Sequence, residues 1–183
     1  MNKKFNIFDN NIMTYRLENH SQIKDKILSY IEKQEKYPIN KEGYSITYTD
    51  YMTKTKPIDR EYFKLLKNQT NFFEDLRTFY RVNDIELSNI WYQQYYENDK
   101  HQWHYHNYAN LLCVYLLELK DNDGLTQFYD LYKNKPIDID AKEGDIIVFN
   151  SLIPHRSPPL KSKHRKTAIS INLNILDINS NLK

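Results

Sequence analysis

The sequence is poor in the residues on which small secreted domains and flexible linkers depend. One cysteine, Cys113, among 183 residues excludes an intramolecular disulfide and fits a reducing compartment. Three glycines and six prolines leave no stretch that reads as a linker, and no repeat or low-complexity segment is present. Charge of one sign is also missing: 26 basic residues against 24 acidic ones give a formal net charge of +2. That balance offers no global attraction for nucleic acid or for an anionic membrane. Long apolar runs are absent as well. The stretches Leu111–Leu117 and Ile146–Phe149 fall far short of the ~20 residues that cross a bilayer. Met1-Asn2-Lys3-Lys4 is not followed by the apolar run of a signal peptide. The expectation is a cytoplasmic protein of one domain, 1–183, with neither membrane nor nucleic acid as a partner.

What is abundant is aromatic: sixteen tyrosines and eight phenylalanines. Lys, Asn, Ile and Tyr share AT-rich codons, so part of this bias is genomic and it carries no functional weight.

Residues 1–84 read as a helical and extended lead-in. A strand-like start (Phe5 to Arg16) precedes Ser21, which is placed to cap a helix bearing Ile23, Ile27 and Ile31 at i, i+4 and i+8. Tyr44 to Tyr51 alternates like a strand, and Pro57 fits the first turn of a second helix with the stripe Tyr62, Leu66, Phe73, Leu76 and Tyr80. From about Ile85 to Leu176 the pattern becomes short β-rich runs: Ile90–Tyr96, Leu111–Leu119, Leu125–Tyr132, Ile137–Ile139, Asp145–Asn150 and Thr167–Leu176. Turn chemistry such as Asp121-Asn122-Asp123-Gly124 and Glu143-Gly144-Asp145 separates them. The expected class is α+β, with a jelly-roll (double-stranded β-helix) core at 85–176 and the N-terminal helices packed on one sheet.

The chemistry sits in two places. His104 and His106 lie at i and i+2, which on an extended segment sends both rings to the same side. His155 follows the apolar strand Asp145–Asn150, where a strand end can present it to the same ion, and imidazole is a common ligand for Fe, Zn, Cu and Ni. Arg165 lies ten residues on, at the start of a strand, and suits a bidentate grip on a carboxylate. On charge alone, the better reading of Lys161, Lys163, Arg165 and Lys166 is a solvated basic loop.

At this point the chain resembles the 2-oxoglutarate/Fe(II)-dependent oxygenases, specifically the prolyl-hydroxylase-like group of phages and marine bacteria. The resemblance covers roughly Ser88 to Leu176. It rests on Ile90-Trp91-Tyr92, His104-Tyr105-His106, Leu112-Cys113-Val114-Tyr115-Leu116, Asp123-Gly124-Leu125-Thr126-Gln127-Phe128, Gly144-Asp145-Ile146-Ile147-Val148-Phe149 with His155, and Arg165-Lys166-Thr167 with Ser170-Ile171-Asn172. It implies His104 and His155 as iron ligands, and Arg165 as the anchor of the distal carboxylate of 2-oxoglutarate. Thr167 and Tyr95 would assist in holding that cosubstrate. It further implies Fe(II), with 2-oxoglutarate and O2 as cosubstrates, and hydroxylation of a C–H bond, with a prolyl or other amino-acid side chain of a peptide or protein as the family-level expectation. The family usually carries His-x-Asp, whereas the second position here is His106. A three-histidine site follows, unless a carboxylate such as Asp130 arrives from another strand or the third position stays open; the three-histidine set is the reading adopted. Two alternatives remain: a cupin-like three-histidine dioxygenase that needs no 2-oxoglutarate, and a non-catalytic jelly-roll binding module.

Overall fold

The computed structural model describes residues 12–178, with the Ile178 side chain left aside; the expected start at Phe5 lies outside the described residues. Strand β1 (Met13–Arg16) leads into helix α1 (His20–Lys33), and the hairpin β2 (Tyr37–Lys41) and β3 (Tyr44–Thr49) follows. Helices α2 (Glu61–Gln69) and α3 (Phe72–Tyr80) come next, then the long strand β4 (Val82–Tyr95). The remainder is strand: β5 (Lys100–His104), β6 (Leu111–Glu118), β7 (Gln127–Asp130), β8 (Lys135–Ile137), β9 (Asp145–Asn150), β10 (His155–Ser157) and β11 (Lys166–Ile178).

The strands run antiparallel in the order β1-β9-β6-β11-β4-β3-β5-β10-β7-β8, with β2 on the free side of β3. The path folds back on itself at β3, which pairs with β4 through Tyr48 and Thr49 and with β5 through Tyr44 and Ser45. The short sheet β5-β10-β7-β8 thereby closes over the broad one. Phe128 of β7 packs in one buried cluster with Leu112 and Val114 of β6 and Phe149 of β9, so the two sheets share an interior. This is the expected jelly roll. The lead-in is not separate from it, since β1 extends the broad sheet and β3 joins the two.

The apolar run of β6 has a simple cause. Leu111, Cys113, Tyr115 and Leu117 face the helices, while Leu112, Val114 and Leu116 face the interior. Both faces are buried, so alternation disappears from the sequence. On the helix side, Ile23, Ile27 and Ile31 of α1 are at most 2% exposed and pack with Tyr62, Leu66, Phe72 and Leu76. Each such side chain contributes about 1.5–3 kcal/mol of burial.

Two expectations need correction. Ser21 lies within the first turn of α1 and Asn19 takes the cap position, without a side-chain cap bond; its amide instead donates to Gln69 O at 2.5 Å. The single second helix is two. Pro57 begins a 3-10 turn (Pro57–Asp59), and α2 stops at Thr70, whose backbone is extended (φ −136°, ψ 157°). Thr70 Oγ1 bonds Leu66 O at 2.7 Å, the local competition by which Thr and Asn interrupt helices.

Candidate metal centre

His104 ends β5 and His155 begins β10, and the two are directly paired across neighbouring strands. His106 lies two residues beyond His104, where its backbone N–H donates to Ser151 O at 2.8 Å. Ring centroids are 4.2 Å apart for His104 and His155, 5.2 Å for His104 and His106, and 5.4 Å for His106 and His155. One donor nitrogen from each ring lies within 4.8 Å of the others, and among the described residues no Cys, Asp or Glu joins this group.

The other ring nitrogens decide the protonation. Each Nδ1 faces an oxygen: Gln102 O for His104 at 2.8 Å, Ile153 O for His155 at 2.9 Å, and Asn172 Oδ1 for His106 at 3.0 Å. An oxygen acceptor holds the proton on Nδ1, which leaves Nε2 as a lone pair directed elsewhere. Burial also pushes all three below the usual histidine range, His104 to about 4 and His155 well below it, with His106 lowered too. Three neutral imidazoles with their outer nitrogens already bonded are the donor set of a ligated metal. Two nitrogens bonded to one ion at ~2.1 Å lie at most ~4.2 Å apart, so small ring movements close the cluster on it.

The pocket behind the histidines is lined by Gln93, Tyr95, Thr126, Ser157, Lys166 and Ser170, and by His101, stacked on His104 at 3.8 Å. Among the described residues no carboxylate lines it. Lys166, 2% exposed, sends its ammonium to neutral oxygens, Gly124 O at 2.5 Å and Ser157 Oγ at 2.8 Å, and over the Tyr95 ring at 4.8 Å. Burial lowers its pKa to about 7. Gly124 has φ +73°, and a Cβ there would stand 2.9 Å from Leu160, so glycine brings this carbonyl to the ammonium without strain. In front of the histidines opens a cleft of about 250 Å³, walled by Tyr44, Tyr51, Trp91, Tyr105 and Tyr108, with Lys41 on its lining.

Solved structures place this architecture. An oxidoreductase of the 2OG-Fe(II) oxygenase family from Burkholderia pseudomallei matches with a TM-score of 0.74 at 10% identity, covering 92% of this chain and 88% of that one. The fold is that of the 2-oxoglutarate/Fe(II) oxygenases. A viral collagen prolyl hydroxylase from Paramecium Bursaria Chlorella virus-1, in complex with 2OG, matches at 0.60 and 14% identity, over 90% and 96% of the two chains. HygX from Streptomyces hygroscopicus, with nickel and 2-oxoglutarate bound, matches at 0.65 and 11% identity, over 90% and 83%. No family model and no curated protein sequence matches the chain.

Within this oxygenase fold the expected residues fall into two groups. His104, His106, His155 and Tyr95 line the same pocket. Arg165 and Thr167 do not. Arg165 pairs with Glu118 at 2.8 Å and Glu32 at 2.7 Å, and Thr167 Oγ1 donates to Glu118. The cause is strand alternation: on β11 the residues Lys166, Ala168 and Ser170 face the pocket, so 165 and 167 face away. Asp130 closes a turn, accepting from the backbone of Tyr132 and Lys133, and stands outside the cluster. Residue reasoning missed Lys166, Ser157 and Asn172. A signal for Lys166 and Asn172 was present, because Ala168, Ser170 and Asn172 are the small and polar phase of β11 while Ile169 and Ile171 are the apolar phase.

Proposed function

We propose that this chain is an Fe(II)- and 2-oxoglutarate-dependent oxygenase that hydroxylates a C–H bond, with His104, His106 and His155 as iron ligands. In this reading Lys166 anchors the distal carboxylate of 2-oxoglutarate. The observation that carries it is one pocket holding three histidine lone pairs and a buried ammonium bonded only to neutral oxygens. A buried cation with no acid in direct contact, helped only by the field of Asp123, is costly, and an incoming carboxylate supplies a direct partner.

Bound Fe(II) and 2-oxoglutarate supply oxidising power from O2, which leaves a hydroxylated substrate, succinate and CO2. The chain's own groups do the rest. The histidines keep Nε2 unprotonated, Lys166 and Ser157 fix the carboxylate, and the buried wall of Tyr95 excludes water from that end. The aromatic cleft then sets the substrate before the histidines. Its rings suit an apolar or ring-bearing side chain, prolyl included, presented by a peptide or protein. A reduced, buried Cys113 fits a cytoplasmic setting.

The donor set without a carboxylate also favours a second reading, a three-histidine dioxygenase independent of 2-oxoglutarate. One experiment separates them: elemental analysis and succinate formation on protein loaded with Fe(II) under air. The expected result is one iron per chain and 2-oxoglutarate-dependent succinate, both lost in His155→Ala. Full iron occupancy in that variant sinks the ligand assignment, and oxygen uptake without 2-oxoglutarate selects the second reading.

A further inference from the structure

The three histidines are not held alike. For His104 and His155 the Nδ1 acceptor is a backbone carbonyl two residues upstream, Gln102 O or Ile153 O. Those bonds come with the local chain path, and no side-chain substitution removes them. His106 alone depends on a side chain, Asn172 Oδ1 at 3.0 Å, contributed by β11 from 66 residues away.

Asn172 is an awkward residue to bury. It is 0% exposed and sits between the core residues Ile171 and Leu173, and its Nδ2 makes no hydrogen bond of normal geometry, acting only weakly on the Tyr108 hydroxyl. A half-satisfied amide in such a place costs about 1–3 kcal/mol, so stability alone does not account for it. Its one hydrogen-bonded side-chain atom faces a candidate ligand.

The His106 ring lies in a slot between Trp91 (centroids 5.8 Å apart, planes 21°) and Tyr108 (5.7 Å, 21°). Two flat walls fix the plane of an imidazole but not its sense. A half-turn of the ring within the slot exchanges Nδ1 with Cδ2 and Nε2 with Cε1, and either neutral tautomer fits between the walls. Only the bond to Asn172 distinguishes them.

We infer that Asn172 is a positioning residue that makes His106 a metal ligand, holding the proton on Nδ1 and the Nε2 lone pair toward His104 and His155. The inference rests on the metal reading of the three histidines and deepens it. Without the acceptor, His106 populates the Nε2–H tautomer and flipped ring, neither of which can bind an ion there. The donor set then drops to two histidines for part of the time, and affinity falls with that fraction.

The test uses Co(II) titration of the metal-free full chain, with ¹⁵N NMR of its imidazoles. Asn172→Leu keeps the size and removes the acceptor; Asn172→Asp restores an acceptor at the same place. Asn172→Leu is expected to weaken Co(II) binding about 10–100-fold and to move His106 from the Nδ1–H pattern to a mixture. Its melting temperature should change little, since the unpaired Nδ2 is removed together with the acceptor of His106, and Asn172→Asp should return the affinity. Unchanged affinity in Asn172→Leu, or no recovery in Asn172→Asp, overturns the inference while leaving the metal site standing. The unaltered protein gives a check that needs no variant: an Nε2–H tautomer at His106 in its metal-free form overturns the inference directly. Failure of the unaltered protein to bind Co(II) removes the metal reading and this inference with it.

Discussion

At the scale of single residues, the telling contrast is between neighbours on β11. Arg165, tied to Glu118 and Glu32, is held charged above the usual guanidinium range, first by its hydrogen bonds to Glu118. Lys166, in the pocket, is lowered by burial to about 7 and is half-charged near neutrality. A carboxylate bound beside Lys166 keeps it protonated, so the complex must take up a proton whenever the free protein lacks it. Uptake of 2-oxoglutarate is therefore expected to absorb roughly half a proton at pH 7 and nearly one at pH 9. Affinity should fall toward tenfold per pH unit above about pH 8. Calorimetry in buffers of different ionisation heat reads both, and pH-independent affinity between 7 and 9 would count against Lys166. Lys166→Met should cost about 10–100-fold in 2-oxoglutarate affinity, whereas Arg165→Ala should leave it unchanged. The sequence puts cations at 165 and 166 at the start of this strand, and strand alternation turns Arg165 away from the pocket while Lys166 lines it. His104 and His106 come together because i and i+2 share a face whatever the register.

At the scale of elements, what the sequence reveals depends on how many faces of an element are buried. The isoleucine stripe of α1 was legible because only one side of the helix packs, and β9 was legible to the residue, Asp145–Asn150. The short β10 and the edge strand β2, with Pro38 inside it, left no periodic signal; three to five residues are too few for alternation to register. The α2–α3 break was hidden because the stripe from Tyr62 to Tyr80 continues across Thr70, and both helices bury it on the same sheet. The helices meet the face of the broad sheet away from the histidines, since the α1 cluster includes Ile169 and Ile171 while the pocket includes Ala168 and Ser170. Stability and metal binding should then separate. Ile27→Ala, at a fully buried position, is expected to cost about 2–5 kcal/mol in urea denaturation while leaving Co(II) affinity at 20 °C within about twofold, provided the variant stays folded. A parallel loss of affinity in folded protein would show that the helix layer shapes the site.

At the scale of the molecule, the site sets how stability depends on pH. His101, His104, His106 and His155 sit together, and burial lowers each of them, His101 to about 2 and His104 to about 4. Unfolded, each takes a proton near its ordinary value of 6.5; folded, each resists. The unfolded state therefore binds more protons below 6.5, so stability is full above that pH and is lost as pH falls toward the folded values. For His101 and His104 the cost is on the order of 2 kcal/mol each at pH 5, and His106 and His155 add to it in the same direction. Asp50, raised by burial, opposes this just above the ordinary carboxylate range, whereas His20, lowered by burial, and the lowered carboxyls of Glu32 and Glu143 act with the four histidines. Lys166 acts in the same sense as the histidines at higher pH, since between about 7 and 10.5 only the unfolded chain holds its proton fully. Metal-free protein should thus be most stable on the alkaline side of neutrality, with a melting temperature about 10 °C or more lower at pH 5 than at pH 7.5. An ion bound to three Nε2 atoms leaves the folded chain no more able to take protons there while the unfolded chain still takes them, so Co(II) at saturating concentration should raise the melting temperature without reducing its acid sensitivity. The free histidines are already neutral at pH 7, so loading should release almost no protons there and should become proton-coupled only in more acid solution. Calorimetric melting of metal-free and Co(II)-loaded protein across pH 5–8 makes the comparison, and a melting temperature at pH 7.5 that Co(II) does not raise would show that the ion is not held by these histidines.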